Sequence, residues 1–152
     1  MKMMINTIIF DWKQTLYSPS SASLIEGTEE VLEYLNNQNV VLYLIGKGGK
    51  DMQDEIDRLN VRKHFKDVLF VESSKEPDHF KKFINSNDNS GVLIIGDKLS
   101  SEIEVGNKIG ARTIQVKQGK FAADEPLNEN QKPDVTVNNL AELKETLIDL
   151  LS

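Results

Sequence analysis

The chain has no cysteine among its 152 residues, which removes thiol catalysis, cysteine-ligated zinc and disulfide staples. That absence fits a reducing cytoplasm, the expected location. Long apolar runs are missing too. The opening MKMMINTIIFD meets a charged residue after a few apolar positions, too early for a membrane span, and no small-residue cleavage site follows. Positive charge is in deficit: 18 Lys and Arg stand against 24 Asp and Glu, a formal charge of −6, and no lysine-rich face is evident. A nucleic-acid footprint is therefore not expected. What remains is a chain read as a single domain over 1–152, long enough to bury a core without metal or disulfide support.

Two stretches organise the rest. Ile5 to Leu16, INTIIFDWKQTL, is an apolar run that stops at Asp11 and turns polar; Val92 to Asp97, VLIIGD, is an apolar run that stops at Asp97. Continuous Ile- and Val-rich runs are typical of strands covered on both faces in a parallel sheet. In open sheets of that kind ligands sit beyond the carboxyl ends of the strands, so adjacent strands would bring both aspartates into one crevice. Paired carboxylates repel unless a cation joins them, and Mg²⁺ commonly takes one or two carboxylates plus substrate phosphate. Metal-assisted phosphoryl chemistry is the first expectation.

The other elements alternate. Tyr17 to Leu24 (YSPSSASL) reads as a serine-rich loop, and Val31, Leu32 and Leu35 mark a helix over Glu26 to Gln38. Val40 to Ile45 is a strand closed by the flexible GKGGK loop (Gly46 to Lys50), and Met52 to Leu59 is a helix with a charged face. Val68 to Val71 is a third strand, followed by a helix through Phe80, Phe83 and Ile84 with Pro77 in its first turn. The polar NSNDNSG segment (Asn85 to Gly91) leads into VLIIGD, after which Ser100 or Ser101 is expected to cap a helix ending near Ile109 and Gly110. Thr113 to Val116 is a fifth strand, 117–132 a polar loop, Val135 to Val137 a short last strand, and Asn138-Asn139 caps a terminal helix. Strand–helix alternation predicts an α/β, three-layer α/β/α sandwich around a Rossmannoid parallel sheet, with the first strand central, the second and third on one side and the fourth and fifth on the other.

Asp11-Trp12-Lys13-Gln14-Thr15 after a hydrophobic strand resembles the opening motif of the haloacid dehalogenase-like (HAD) phosphohydrolases. Gly96-Asp97-Lys98-Leu99-Ser100-Ser101-Glu102-Ile103 with Gly106-Asn107 and Gly110 resembles that family's last motif, and Lys75 before Glu76-Pro77 resembles its lysine. The resemblance implies a HAD-like fold without a cap domain. It also implies an Mg²⁺-dependent phosphomonoester phosphatase, in which Asp11 is the nucleophile that forms an aspartyl-phosphate and Lys75 clamps the phosphoryl group. Asp11, Asp97, Glu102 and the backbone carbonyl of Lys13 would be the metal ligands, and Thr15, Gly46 and Lys47 the substrate-binding residues. Capless relatives tend to accept large substrates or to close the site by oligomerising, so the expected partners are a phosphorylated substrate and, as an open alternative, a second copy of the chain.

The departures from the pattern are specific. Lys13 stands where the family has the aspartate that serves as general acid and base, a loss worth roughly a hundred- to ten-thousand-fold. Gln14 replaces a residue that is commonly Gly or Asn, Gly46 replaces a Ser or Thr, and Glu102 replaces an Asp. Lys13 is a candidate to pair with Asp11 and depress its nucleophilicity. The alternative function is thus a catalytically degenerate HAD-fold module that binds a ligand or protein through the same crevice or the 117–132 loop; a metal-free attack on carbon would need a closed apolar pocket that a cap normally supplies. His64 and His79 are read as surface or packing residues, and Trp12 either lines the site or covers the sheet.

Overall fold

The computed structural model describes residues 4–84 and 87–152; Asn85 and Ser86 of the polar segment lie outside them. In chain order come β1 (Thr7–Phe10), a small antiparallel ribbon of β2 (Tyr17–Ser18) and β3 (Ser23–Leu24), α1 (Thr28–Asn36), β4 (Val41–Lys47) and α2 (Lys50–Arg58). Then follow β5 (Asp67–Val71), α3 (Pro77–Lys81), β6 (Val92–Gly96), α4 (Glu104–Lys108), β7 (Arg112–Val116), β8 (Val135–Val137) and α5 (Leu140–Leu151). The main sheet is parallel in the order β5-β4-β1-β6-β7-β8, which places β1 at the centre as expected.

Residue alternation along the central strands produces the three layers. Ile8 and Phe10 of β1, Leu42 and Leu44 of β4, and Leu93 and Ile95 of β6 share a core with Val31, Leu32 and Leu35 of α1, Ile56 of α2 and Leu140, Leu143 and Leu147 of α5. Their neighbours Ile9, Ile45 and Ile94 point the other way, toward Phe80 of α3 and Val105 of α4. Strands buried on both faces need no polar alternation, hence the continuous apolar runs in the sequence. Neither the connection after β1 nor that after β5 carries an inserted domain.

Three local expectations are corrected. The serine-rich segment is not a plain loop but the β2–β3 ribbon, with Tyr17 opposite Leu24 and Ser18 opposite Ser23. The ribbon is anchored to α2: the Tyr17 hydroxyl donates to Glu55 Oε1 (2.7 Å), and Arg58 donates to both Glu55 and the carbonyl of Ala22 (2.6 Å). The second strand extends through Gly46 and Lys47, which pair with Phe70 and Val71 of β5. Neither Ser100 nor Ser101 caps a long helix; Leu99–Ile103 is a wide turn in which Ser101 leaves helical dihedrals (φ −121°, ψ −107°), and only Glu104–Lys108 is regular helix.

Trp12 covers the sheet. It is fully buried, stacked on Tyr17 (5.1 Å between centroids, 9° between planes) and edge-on to Phe70. Gly46 lies beneath it, where an added Cβ would come within 2.7 Å of both Trp12 Cβ and the Phe70 ring. Restoring the family's hydroxyl with Gly46→Ser is therefore expected to destabilise the fold by about 1–3 kcal/mol, the usual penalty of overpacking, seen as a lower urea midpoint at unchanged m-value.

Candidate active site

The parallel register brings the two aspartates together. Phe10 of β1 pairs with Ile95 of β6, and the Asp11 amide donates to the Ile95 carbonyl (2.9 Å), so Asp11 and Asp97 leave neighbouring strands at the same edge. Beyond Asp11 the backbone curls tightly: the amides of Thr15, Leu16 and Tyr17 all converge on the Trp12 carbonyl, and Gln14 takes a left-handed conformation (φ 68°). That conformation suits Gly or Asn better than Gln, a backbone reason for the residues common at this position in the family. The curl returns the Thr15 hydroxyl to Asp11, where it donates to Oδ2 (2.9 Å) and lies 3.3 Å from Asp97 Oδ1.

Glu102 completes the cluster by folding back. Its Oε1 accepts the amides of Asp97 and Lys98 (3.0 Å each), which explains the wide turn, and Gly96 leaves the room: a Cβ there would be 2.2 Å from Glu102 Cγ. One oxygen each from Asp11, Asp97 and Glu102 lie within 4.8 Å of one another, and all three residues are buried. Lys75 reaches in from the connection after β5, its ammonium bonded to Asp11 Oδ1 and 3.3 Å from Glu102 Oε2. Three buried carboxylates thus stand beside a single buried ammonium, which pairs with two of them.

Electrostatics follow from that count. Burial alone would raise the Asp11 carboxyl, but the Lys75 charge and hydrogen bonds from Asp97 and Lys75 hold it below its usual value. Asp97 gives way instead: burial first, then the Asp11 charge, pushes its carboxyl up to about 10. Burial and then Asp11 raise Glu102 as well. Burial would lower Lys75, yet the charges of Asp11 and Glu102 raise it. Asp97 Oδ2 is buried without a hydrogen-bond partner, although such oxygens are normally satisfied. These features fit a divalent cation. Oxygens on opposite sides of one Mg²⁺ are about 4.2 Å apart, so small closure would bring the three into one coordination shell.

Of the residues expected at the site, Asp11, Lys75, Asp97 and Glu102 are drawn together. Lys13 is half-buried and faces the same cavity, but the ammonium that pairs with Asp11 is Lys75. Thr15, expected at the substrate, is fully buried and bonded to the carboxylates. Lys47 lines the cavity, whereas Gly46 lies under Trp12. His64 pairs with Asn36 and His79 closes a capping box with Glu76, so neither is part of the cluster. Lys98, Lys120 and Phe121 also line the cavity; Lys98 stands beside Asp97, and Lys120 and Phe121 belong to the 117–132 loop expected as an alternative binding segment.

A family model described as HAD-hydrolase-like matches residues 73–143, a span that includes Lys75, Asp97 and Glu102. A glyceraldehyde 3-phosphate phosphatase from Methanopyrus kandleri is 27% identical over 103 residues, 64% of this chain and 44% of that protein. The present chain therefore spans less than half the length of that curated relative. Among solved structures, an uncharacterized protein from Listeria monocytogenes serotype 4b superposes with a TM-score of 0.79 at 16% identity, covering 96% of this chain and 98% of the other. The chain is thus HAD-like in sequence over 73–143 and in fold over nearly its whole length. A HAD-like family hydrolase from Xanthomonas campestris shares the fold of this HAD-like chain (TM-score 0.79, 13% identity, 98% and 97% coverage). So does the putative HAD-hydrolase YfnB from Bacillus subtilis, whose structure is bound to magnesium (0.67, 23%, 83% and 57%). Among the described residues no helix is long and apolar enough to cross a membrane.

The sign of the pH dependence follows for the metal-free protein. A carboxyl raised from 3.8 to about 10 contributes stability that is complete below about pH 4, declines as pH rises and is lost above about pH 10. Asp97→Asn should flatten that decline between pH 5 and 9 in EDTA. Conversely, Mg²⁺ should raise the melting temperature of the parent chain and do so much less for the variant, with about 2.7 kcal/mol expected at a hundredfold excess over Kd.

Proposed function

We propose that this chain is an Mg²⁺-dependent phosphomonoester hydrolase in which Asp11 is the nucleophile, working as one domain in the cytoplasm. The observation that carries the reading is the buried convergence of Asp11, Asp97 and Glu102, two of them paired with Lys75 and one Asp97 oxygen left unpartnered. Held by these three carboxylates and the Lys13 carbonyl, the cation would offset the charge of the carboxylates and of the phosphoryl oxygens.

The chain's own groups divide the rest. Thr15 holds Asp11 Oδ2, which fixes the carboxylate while Oδ1 attacks phosphorus and the ester oxygen departs, leaving an aspartyl-phosphate on Asp11. Lys75, resting on Asp11 Oδ1 and beside Glu102, transfers its charge to the phosphoryl oxygens during that step. Water then attacks phosphorus, the bond from phosphorus to Asp11 Oδ1 breaks, and inorganic phosphate leaves with the water's oxygen and protons, returning the Asp11 carboxylate. With Lys13 where the family has its general acid and base, no carboxyl at that position supplies a proton to the leaving oxygen. Esters of acidic alcohols, which depart as stable anions, should be favoured over alkyl phosphates.

A second reading, a catalytically degenerate ligand-binding module, draws support from the same lysine. Turnover of 4-nitrophenyl phosphate separates the two. Activity that requires Mg²⁺ and disappears in Asp11→Asn supports the hydrolase, and Lys13→Asp should then raise hydrolysis of alkyl phosphates by about a hundredfold or more. Turnover that persists in Asp11→Asn would remove the nucleophile assignment, and phosphate binding without turnover would leave the binding module.

A further inference from the structure

The cavity above the carboxylates has a volume of about 450 Å³, in the range of small-ligand sites and well beyond one phosphoryl group. Five lysines line it, Lys13, Lys47, Lys75, Lys98 and Lys120, in a chain whose formal charge is −6. Lys75 is committed to Asp11 and Glu102. Among the described residues none of the other four lies within 4 Å of a carboxylate. Two of them converge: Lys98 Nζ is 4.7 Å and Lys120 Nζ 5.0 Å from the centre of the Phe121 ring. Both ammoniums gain from the ring's π face but have no carboxylate partner among the described residues, and an anion reaching that wall would supply one.

Resting on the phosphatase reading, we propose that Lys98, Lys120 and Phe121 form a second anion subsite that selects small phosphate esters carrying a further acidic group, carboxylate or phosphate, on their organic portion. Lys98 follows Asp97 directly, and Lys120 and Phe121 belong to the short turn after β7, Gly119–Phe121. The subsite therefore stands on the β6–β7 side, apart from Lys47 on β4. The phosphoryl group would sit at Asp11 and the second charge against the Phe121 wall. A cavity of this size favours a metabolite over a phosphorylated macromolecule, whose surroundings would also have to enter it.

The test uses binding, so it does not depend on turnover. Affinities of the full chain in Mg²⁺ buffer are measured by calorimetry for 3-phosphonopropionate and 4-phosphonobutyrate against propylphosphonate and butylphosphonate, pairs that differ in the distal carboxylate. The acidic member should bind about tenfold more tightly, the scale of two partly shielded ion pairs. In the doubly substituted Lys98→Gln, Lys120→Gln chain the ratio should fall to near one, while Lys144→Gln on α5 keeps it, with melting curves verifying that both variants fold. Equal affinities in the parent chain, a preference that survives the double substitution, or no binding of either probe would each overturn the subsite. An intact preference in a chain that hydrolyses no ester would dismiss catalysis and leave the subsite standing.

Discussion

Three carboxylates buried around one ammonium create a charge imbalance that the rest of the site is shaped to manage. Burial strengthens every interaction inside the cluster and removes water as a partner. Without a cation, one carboxyl has to keep its proton, and that group is Asp97, flanked by Asp11 and with one oxygen unpartnered. The backbone meets part of the cost by aiming the Asp97 and Lys98 amides at Glu102. The remainder is what makes the cluster receptive to a divalent ion.

That concentration of charge is possible because the sheet is parallel and β1 is central. Strands of the same direction deliver their carboxyl ends to one edge, and the β1–β6 register sets Asp11 and Asp97 side by side. Small departures from the family pattern are absorbed locally. The additional methylene of Glu102 fits because Gly96 has no side chain, and the missing hydroxyl at Gly46 leaves space that Trp12 and Phe70 fill. The space beside Asp11 is filled by a tryptophan.

Much of this was legible in the sequence, for physical reasons. Buried parallel strands announce themselves as unbroken apolar runs, and a carboxylate that ends such a run has a determined place at the sheet edge, so Asp11 and Asp97 could be paired across the chain. Glu102 and Lys75 required the motif resemblance, because nothing in their local periodicity points inward. The β2–β3 ribbon was hidden, since strands of two residues each, Tyr17–Ser18 and Ser23–Leu24, carry no alternation to detect. Side-chain direction in turns was equally opaque: Thr15 folds back on Asp11, and Lys98 and Lys120 meet at Phe121 through contacts that spacing alone does not encode.

The ribbon at the cavity mouth has a consequence for access. Pro19 at its bend lines the cavity, while Tyr17 and Ala22 at its base are fastened to Glu55 and Arg58 on α2. Widening the entrance by lifting the ribbon would sever those bonds and unstack Tyr17 from Trp12. A helix that gives no residue to the carboxylate cluster thus helps set the position of Pro19 at the cavity.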